Sequence, residues 1–514
     1  PLSILTSPLS FFTIMSEFPT FQKINDSVSI VGALPEGGLA TLKEAHGFNS
    51  ILYLCTDVPD DIGYGKAGYK SIIATGLWPE IRMSHCTLDV KDIGFSVPEQ
   101  DETEHTKNER WLSAIRHYAK YERELNRLPR PTLLMCKSSH RSSCVAGVYD
   151  AVRNGISVKN QEANCAYCWH GSPLLCAWSE MVISTFYKGQ SAAYMHTGEG
   201  DPHGNSRSVP DAAQFASAGS NGLTPSTNER APMIFRQLFE KVSSTYTYLL
   251  GDVQSREAVL IDPVRETAER DLLLIKQLGL TLKYSINTHV HADHVTSSAL
   301  LKKASAERCQ EISEDRGAPA DANQPECQEA RRLRAVQTVS GVAATGHAAC
   351  DLGLEGGESL YFGNRRLIAI ATPGHTAGCI SFVLDDASMV FSGDAVLIRG
   401  CGRTDFQGGS ASLLYERVNT QLFSLPDGCL LYPGHDYNGL PNSTIWEERH
   451  YNKRLACMGD HDYEAGLFGV VGGNPDLHGP VSMEKYIDIM DNLNLPKPKQ
   501  IETAVPANLA CGVY

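Results

Sequence analysis

The chain has 514 residues, with 45 Lys and Arg against 59 Asp and Glu, a formal net charge of -14 and a pI near 5.7. That balance excludes a general nucleic-acid binder, which needs clustered cations to neutralise phosphates, and no run of about eighteen apolar residues is present to span a membrane. The length suits about three domains, and fifteen cysteines, an odd number scattered without dense spacing, predict free thiols, no disulfides and a reducing intracellular compartment. Mitochondrial and cytoplasmic placement both stay open, and a homodimer is compatible with the sequence.

Residues 1–15 carry no charge and are rich in Ser, Leu and Phe, so they read as lying outside a folded domain. Pro1 is not an initiator, which leaves Met15 or an upstream residue as the start. A first domain, residues 16–188, is expected to be α/β: strands at 28–31 and 50–54 flank a helix at 38–46, and 109–127 forms a long amphipathic helix. The apolar run 131–135 then delivers Cys136 to the loop Cys136-Lys-Ser-Ser-His-Arg141, followed by a helix to about residue 152. Loop amides, the helix N-terminus and the Arg141 guanidinium together make a cradle for a thiolate or a bound anion. A buried strand-end cysteine with a solvated Arg141 is the plainer alternative. Cys165 and Cys168 read as core cysteines, and Asp89 or Asp92 could serve a phosphatase as general acid.

Cysteine phosphatases place five residues between Cys and Arg, whereas rhodanese-type sulfurtransferases commonly use four, the number found here. The segment resembles the phosphatase-like, or sulfurtransferase, domain found fused to metallo-β-lactamase-fold proteins. That resemblance implies Cys136 and Arg141 as catalytic residues. Ser139 stands where the family usually has Gly.

Residues 189–232 shift to Gly, Ser, Ala, Asn and Pro and are predicted to be a flexible linker. The second domain, 233–514, opens with strands 243–250 and 257–261 as a hairpin, a helix at 267–278 and a buried strand at 282–286. That strand runs into His289-Val-His-Ala-Asp-His294, four potential metal ligands in six residues, before a helix expected from 295 and a surface insertion at 307–329. Later strands repeat the pattern: 366–371 into His375, 388–391 into Asp394, and 430–432 into His435. Four strand ends, each finishing in a ligand, predict one shared metal site.

With these motifs in order, the domain resembles the metallo-β-lactamase superfamily, whose fold is an αββα sandwich with metals at one sheet edge. The ligand set admits two chemistries. One is a dinuclear zinc thioester hydrolase of glyoxalase II type, with His289, His291 and His375 on one ion, Asp293, His294 and His435 on the other, and Asp394 bridging. The other is one iron held by two His and one carboxylate. The stretches Gly374-His-Thr-Ala-Gly-Cys379 and Arg403-Thr-Asp-Phe-Gln407, with the tail Asn492-Leu-Asn-Leu-Pro-Lys-Pro498 and Ala504-Val-Pro-Ala-Asn508, look like the persulfide dioxygenase family. This resemblance implies one Fe(II) per chain on His289, His375 and Asp394, oxidising glutathione persulfide with O₂ to sulfite and glutathione. His291, Asp293, His294 and His435 would then orient ligands and water. Arg403 is implied as a substrate contact, with Tyr437 and Arg454 as further pocket candidates, and Cys401 as a redox-sensitive thiol.

Overall fold

The computed structural model describes residues 22–24, 26–31, 38–54, 82–85, 102–135, 140–154, 173–186, 233–315, 336–342, 350–456 and 481–513. The 189–232 linker, Asp89, Asp92, Cys136, Cys165 and Cys168 fall outside them. Arg141 lies in a described helix, but its side chain does not belong to the described set.

In the first part, strands β1 (Gln22–Lys23), β2 (Val28–Val31), β3 (Ser50–Tyr53), β4 (Arg82–His85) and β5 (Thr132–Met135) form one sheet in the order β1-β2-β5-β3-β4. All pairs except β1–β2 are parallel, and the apolar β5 at the centre is buried at every residue, as a parallel strand with both faces covered should be. Central β5 ends at Met135, directly before Cys136 in sequence. Helices α1 (Gly38–His46), α2 (Glu104–Arg127), α3 (His140–Asn154) and α4 (Pro173–Phe186) accompany the sheet. Helix α2 begins five residues before the expected start because Thr103 caps it, its hydroxyl accepting from the Thr106 amide.

The second part holds two six-stranded sheets. One runs β11-β10-β9-β8-β7-β6, from β6 (Met233–Glu240), β7 (Thr245–Asp252), β8 (Glu257–Ile261), β9 (Thr281–Ile286), β10 (Gln337–Gly341) and β11 (Leu352–Leu354). The other runs in sequence order through β12 (Ser359–Phe362), β13 (Arg365–Ala371), β14 (Ile380–Leu384), β15 (Met389–Gly393), β16 (Leu430–Pro433) and β17 (Ser443–Thr444). Period-two alternation divides their side chains between two cores. Leu250, Val259 and Ile261 from the first sheet meet Leu367, Ala369, Phe382 and Phe391 from the second. On the outer faces, Leu249, Ala258 and Leu260 pack under α5 (Ala268–Gln277) and α6 (Ser298–Asp315), while Ile368, Ile370 and Val383 meet α7 (Ala411–Arg417) and α8 (Ile445–Tyr451). Helices α9 (Met483–Asp491) and α10 (Ile501–Leu509) complete the chain. The result is the αββα layering expected.

Two features differ from expectation. Helix α6 continues to Asp315, through the start of the segment read as a surface insertion. Cys350 and Cys511 form a disulfide, Cα atoms 5.8 Å apart across 161 residues of sequence, against the prediction of thiols alone. Composition could not reveal it, because the pair is brought together only by packing of the C-terminal helix.

Helix α2 also joins the two parts. One stripe, Ala114, Tyr118, Tyr121 and Leu125, belongs to the core of the first; an adjacent stripe, Trp111, Leu112 and Ile115, is buried with Ile368, Leu422 and Phe423 of the second. Polar groups seal the contact. Asn108 donates to the Gly357 carbonyl at 2.8 Å, and Arg123 binds Asp427 at 2.7 Å and the Phe423 carbonyl at 2.9 Å. Among the described residues, no helix is long and apolar enough to cross a membrane.

Candidate metal centre

The ends of β8, β9, β13, β15 and β16 converge on one polar cluster. His289 and His291 follow β9, His375 follows β13, Asp394 follows β15 and His435 follows β16, all on rigid sheet edges. His289, His291, His294 and His435 are each at most 3% exposed. One group of potential ligands is His289, His375 and Asp394, whose donor atoms lie within 4.8 Å of one another; a second is His291, Asp293 and His435.

Hydrogen bonds fix which nitrogen faces the centre. The His375 Nδ1–H donates to the Arg403 carbonyl at 2.6 Å, leaving the Nε2 lone pair 3.5 Å from Asp394 Oδ2. His289 Nδ1 lies 2.9 Å from the Thr288 hydroxyl, which itself donates to Asp262 at 2.8 Å; His289 therefore donates through Nδ1, and its Nε2 lies 4.0 Å from the same Asp394 oxygen. Close approach needs missing side chains. A Cβ on Gly402 would lie 2.7 Å from His375 Nδ1 and 2.6 Å from the Asp394 carbonyl.

Asp262 was missed by the sequence reading. It is fully buried after β8, accepts from the Thr288 amide at 2.7 Å, and lies 3.1 Å from His291 Nε2. Its signal was present as an acidic residue ending an apolar strand, the same rule that found Asp394. Thr245, also unforeseen, sits between His294 Nδ1 at 3.3 Å and His435 Nδ1 at 3.4 Å.

Electrostatics divide the imidazoles. Burial, then neighbouring His291 and His375, hold His289 well below the ordinary range; burial and His291 also lower His294. Burial opposes protonation of His435 too, but Asp394 and Asp293 outweigh it and push its pKa up to about 9. Asp262 likewise overcomes burial to raise His291. Burial would raise Asp293, yet His435 and His294 hold it well below the carboxylate range. Buried Asp394 Oδ1, His291 Nδ1 and His294 Nε2 have no hydrogen-bond partner, a state that costs free energy unless a cation takes the lone pairs. The donor set, imidazoles and carboxylates with an approach past partly exposed His375 and Asp293, fits a transition-metal ion.

The other candidates stand as follows. Arg403 stacks over Phe406 at 4.4 Å, forks onto Asp405 at 2.6 and 2.7 Å and donates to the Pro496 carbonyl. Tyr437 is 69% exposed and stacks on His435, placing it at the rim. It lines an open pocket with Phe239, Lys241, Ser244, Tyr246 and Asp436. Arg454 donates to the Cys401 carbonyl at 2.5 Å. Cys401 is buried against Tyr486, Met490 and Arg454, and burial raises its thiol pKa.

Residues 241–435 match the model of the metallo-beta-lactamase superfamily. The chain is 46% identical over 291 residues to the mitochondrial persulfide dioxygenase ETHE1 of Bos taurus, covering 57% of this chain and 93% of that one. It is 48% identical over 283 residues to the Homo sapiens protein of that name, covering 55% and 90%. A crystal structure of ETHE1 from Myxococcus xanthus aligns with 42% identity over 55% of this chain and all of that one, at a TM-score of 0.42.

Proposed function

The chain belongs to the persulfide dioxygenase family of the metallo-beta-lactamase superfamily, and from that premise we propose that residues 233–514 oxidise glutathione persulfide with O₂ to sulfite and glutathione. The observation that carries this reading is the pair of imidazoles, His289 and His375, each hydrogen-bonded through Nδ1 so that Nε2 faces Asp394. Two His and one carboxylate on one side of an ion are the donors expected for a single Fe(II). Bound there, the ion would supply coordination positions and electrons for bringing the sulfane sulfur and O₂ together.

The chain's own residues do the rest. Asp262, through Thr288, keeps His289 in one tautomer, and the Arg403 carbonyl does so for His375. His291, Asp293, His294 and His435 line the side opposite and hold protons or ordered water for the oxygen atom that hydrolysis must add. Tyr437 presents an aromatic edge at the rim to the substrate's sulfur end. Arg403 reaches a glutathione carboxylate by exchanging Asp405 for it, an exchange between like groups. Support for a mitochondrial setting comes from the relatives' printed names alone.

The first domain is proposed to deliver sulfane sulfur through a Cys136 persulfide, with Arg141 favouring the thiolate. The alternative for the second domain, two zinc ions and thioester hydrolysis, draws on the second group His291, Asp293 and His435. Metal analysis with oxygen uptake separates the readings: about one iron per chain with persulfide-dependent uptake supports the first, and two zinc ions with thioesterase activity would replace it.

A further inference from the structure

The loop carrying four of the potential ligands is held by a residue far from it in sequence. Asn508, at the end of α10 and 6% exposed, donates from Nδ2 to the carbonyls of His291 at 2.9 Å and His294 at 2.8 Å, and its Oδ1 accepts from the Thr296 amide at 2.8 Å. A primary amide is suited to this task, since both N–H bonds and the oxygen are used and the buried loop has no other donors at those carbonyls in the described hydrogen bonds. An aspartate would present oxygen to two carbonyl oxygens, and a leucine would leave three buried backbone groups unpaired.

What holds Asn508 is slight apart from one covalent bond. Helix α10 has nine residues, short for independent stability, and its apolar contact with the loop is the small cluster Val295, Ala504 and Ala507. The chain then turns at Gly512, whose φ of +85° and whose approach to the Thr296 carbonyl leave no room for a Cβ. The Cys511 carbonyl accepts from the Ala299 amide at 3.0 Å, and Cys511 closes the disulfide to Cys350. The far end of that bond is firmly anchored. Neighbouring Asp351 accepts from the Thr338 amide at 2.9 Å and from Lys302 at 2.5 Å, tying Cys350 to β10 and α6.

We propose that Asn508 is a positioning residue for the metal ligands, kept in place by the Cys350–Cys511 disulfide, so that metal affinity depends on the redox state of that pair. The inference rests on the reading that the cluster holds a metal. Opening the switch needs a dithiol: the dithiol gives two electrons and two protons, its sulfurs join, the Cys350–Cys511 bond breaks, and two thiols remain. Cys350 is partly exposed and Cys511 is buried, so attack is expected at the Cys350 side.

The test uses the full chain, stripped of metal, and Co(II) as probe, with affinity read by competition against a chelator and geometry by the visible absorption of bound Co(II). Oxidised protein, protein reduced with dithiothreitol and then desalted anaerobically, Cys350→Ser and Asn508→Leu are compared. Reduction and Cys350→Ser are each expected to weaken Co(II) binding several-fold and to alter the spectrum. Asn508→Leu is expected to weaken it roughly 10- to 100-fold and to abolish the response to reduction, because both act through one contact. Equal affinity and spectra in oxidised, reduced and Cys350→Ser proteins would overturn the proposal, even if Asn508→Leu failed to fold. Failure of the wild-type protein to bind Co(II) at all would instead overturn the metal reading beneath it.

Discussion

The Asp262 carboxylate lies 3.1 Å from His291 Nε2, and the other nitrogen of that imidazole is buried without a hydrogen-bond partner. The same carboxylate receives the amide and the hydroxyl of Thr288. One acidic side chain therefore sets the backbone entering the ligand loop, the tautomer of His289 and the orientation of His291.

Asp262→Ala should consequently cost about 3 kcal/mol or more of stability, because it strands several buried donors, and should weaken metal binding about 10- to 100-fold. Denaturant unfolding of the metal-free protein and a chelator competition check the two effects separately. Asp262→Asn, which keeps the shape, should retain more of the stability than of the metal affinity.

His289→Ala, His375→Ala and Asp394→Ala should each abolish metal binding and oxygen uptake together, while leaving the αββα layers intact. Elemental analysis of the purified variants gives the answer. Retained iron in all three would show that the ion sits elsewhere.

The metal-free protein should be most stable near pH 6.5. His435 has a folded pKa raised to about 9, so its contribution is complete below the unfolded value of about 6.5 and is lost as pH climbs toward 9. His289 is lowered, so the unfolded state binds protons more readily and stability falls as pH drops below about 6.5. Thermal unfolding from pH 5 to 9.5 should trace this peak. Metal competes with the His435 proton only if it binds that nitrogen, so a loaded protein that still loses stability toward pH 9 places the ion on the His289 side.

Much of the candidate site was legible because each candidate ligand follows an apolar strand, and a strand end followed by His or Asp is a local pattern. Asp262 obeys that rule and was passed over because no second ligand type stands beside it. Two others left no such signal: Thr245 offers only a hydroxyl, and Asn508 acts on carbonyls more than two hundred residues away. Helix α2 was recognised, but its charged composition concealed a second buried stripe. The hydrogen bond from Arg454 to the Cys401 carbonyl likewise left no mark in the sequence.

Cys136→Ser should eliminate sulfur transfer from thiosulfate to glutathione while sparing oxidation of added glutathione persulfide, since a serine hydroxyl cannot carry a persulfide. Assaying both activities on one preparation tests this. Cys136-dependent hydrolysis of an aryl phosphate would favour the phosphatase alternative.

Arg123→Ala should loosen α2 from the second part by about 1.5–3 kcal/mol, removing a charged donor shared by Asp427 and the Phe423 carbonyl. Hydrogen exchange at 420–427 should rise with little change at β9. If only the first part responds, the contact is incidental.

The shared stripe on α2 bears on how this protein can be taken apart. A fragment cut to imitate its shorter relatives would bare Ile368, Leu422 and Phe423 to water, a sticky face on an otherwise finished sandwich. Such a fragment would need replacement of those residues by polar ones to stay monodisperse. The joint is thus part of the second half's own finish: what α2 covers there is surface that the sandwich does not close by itself.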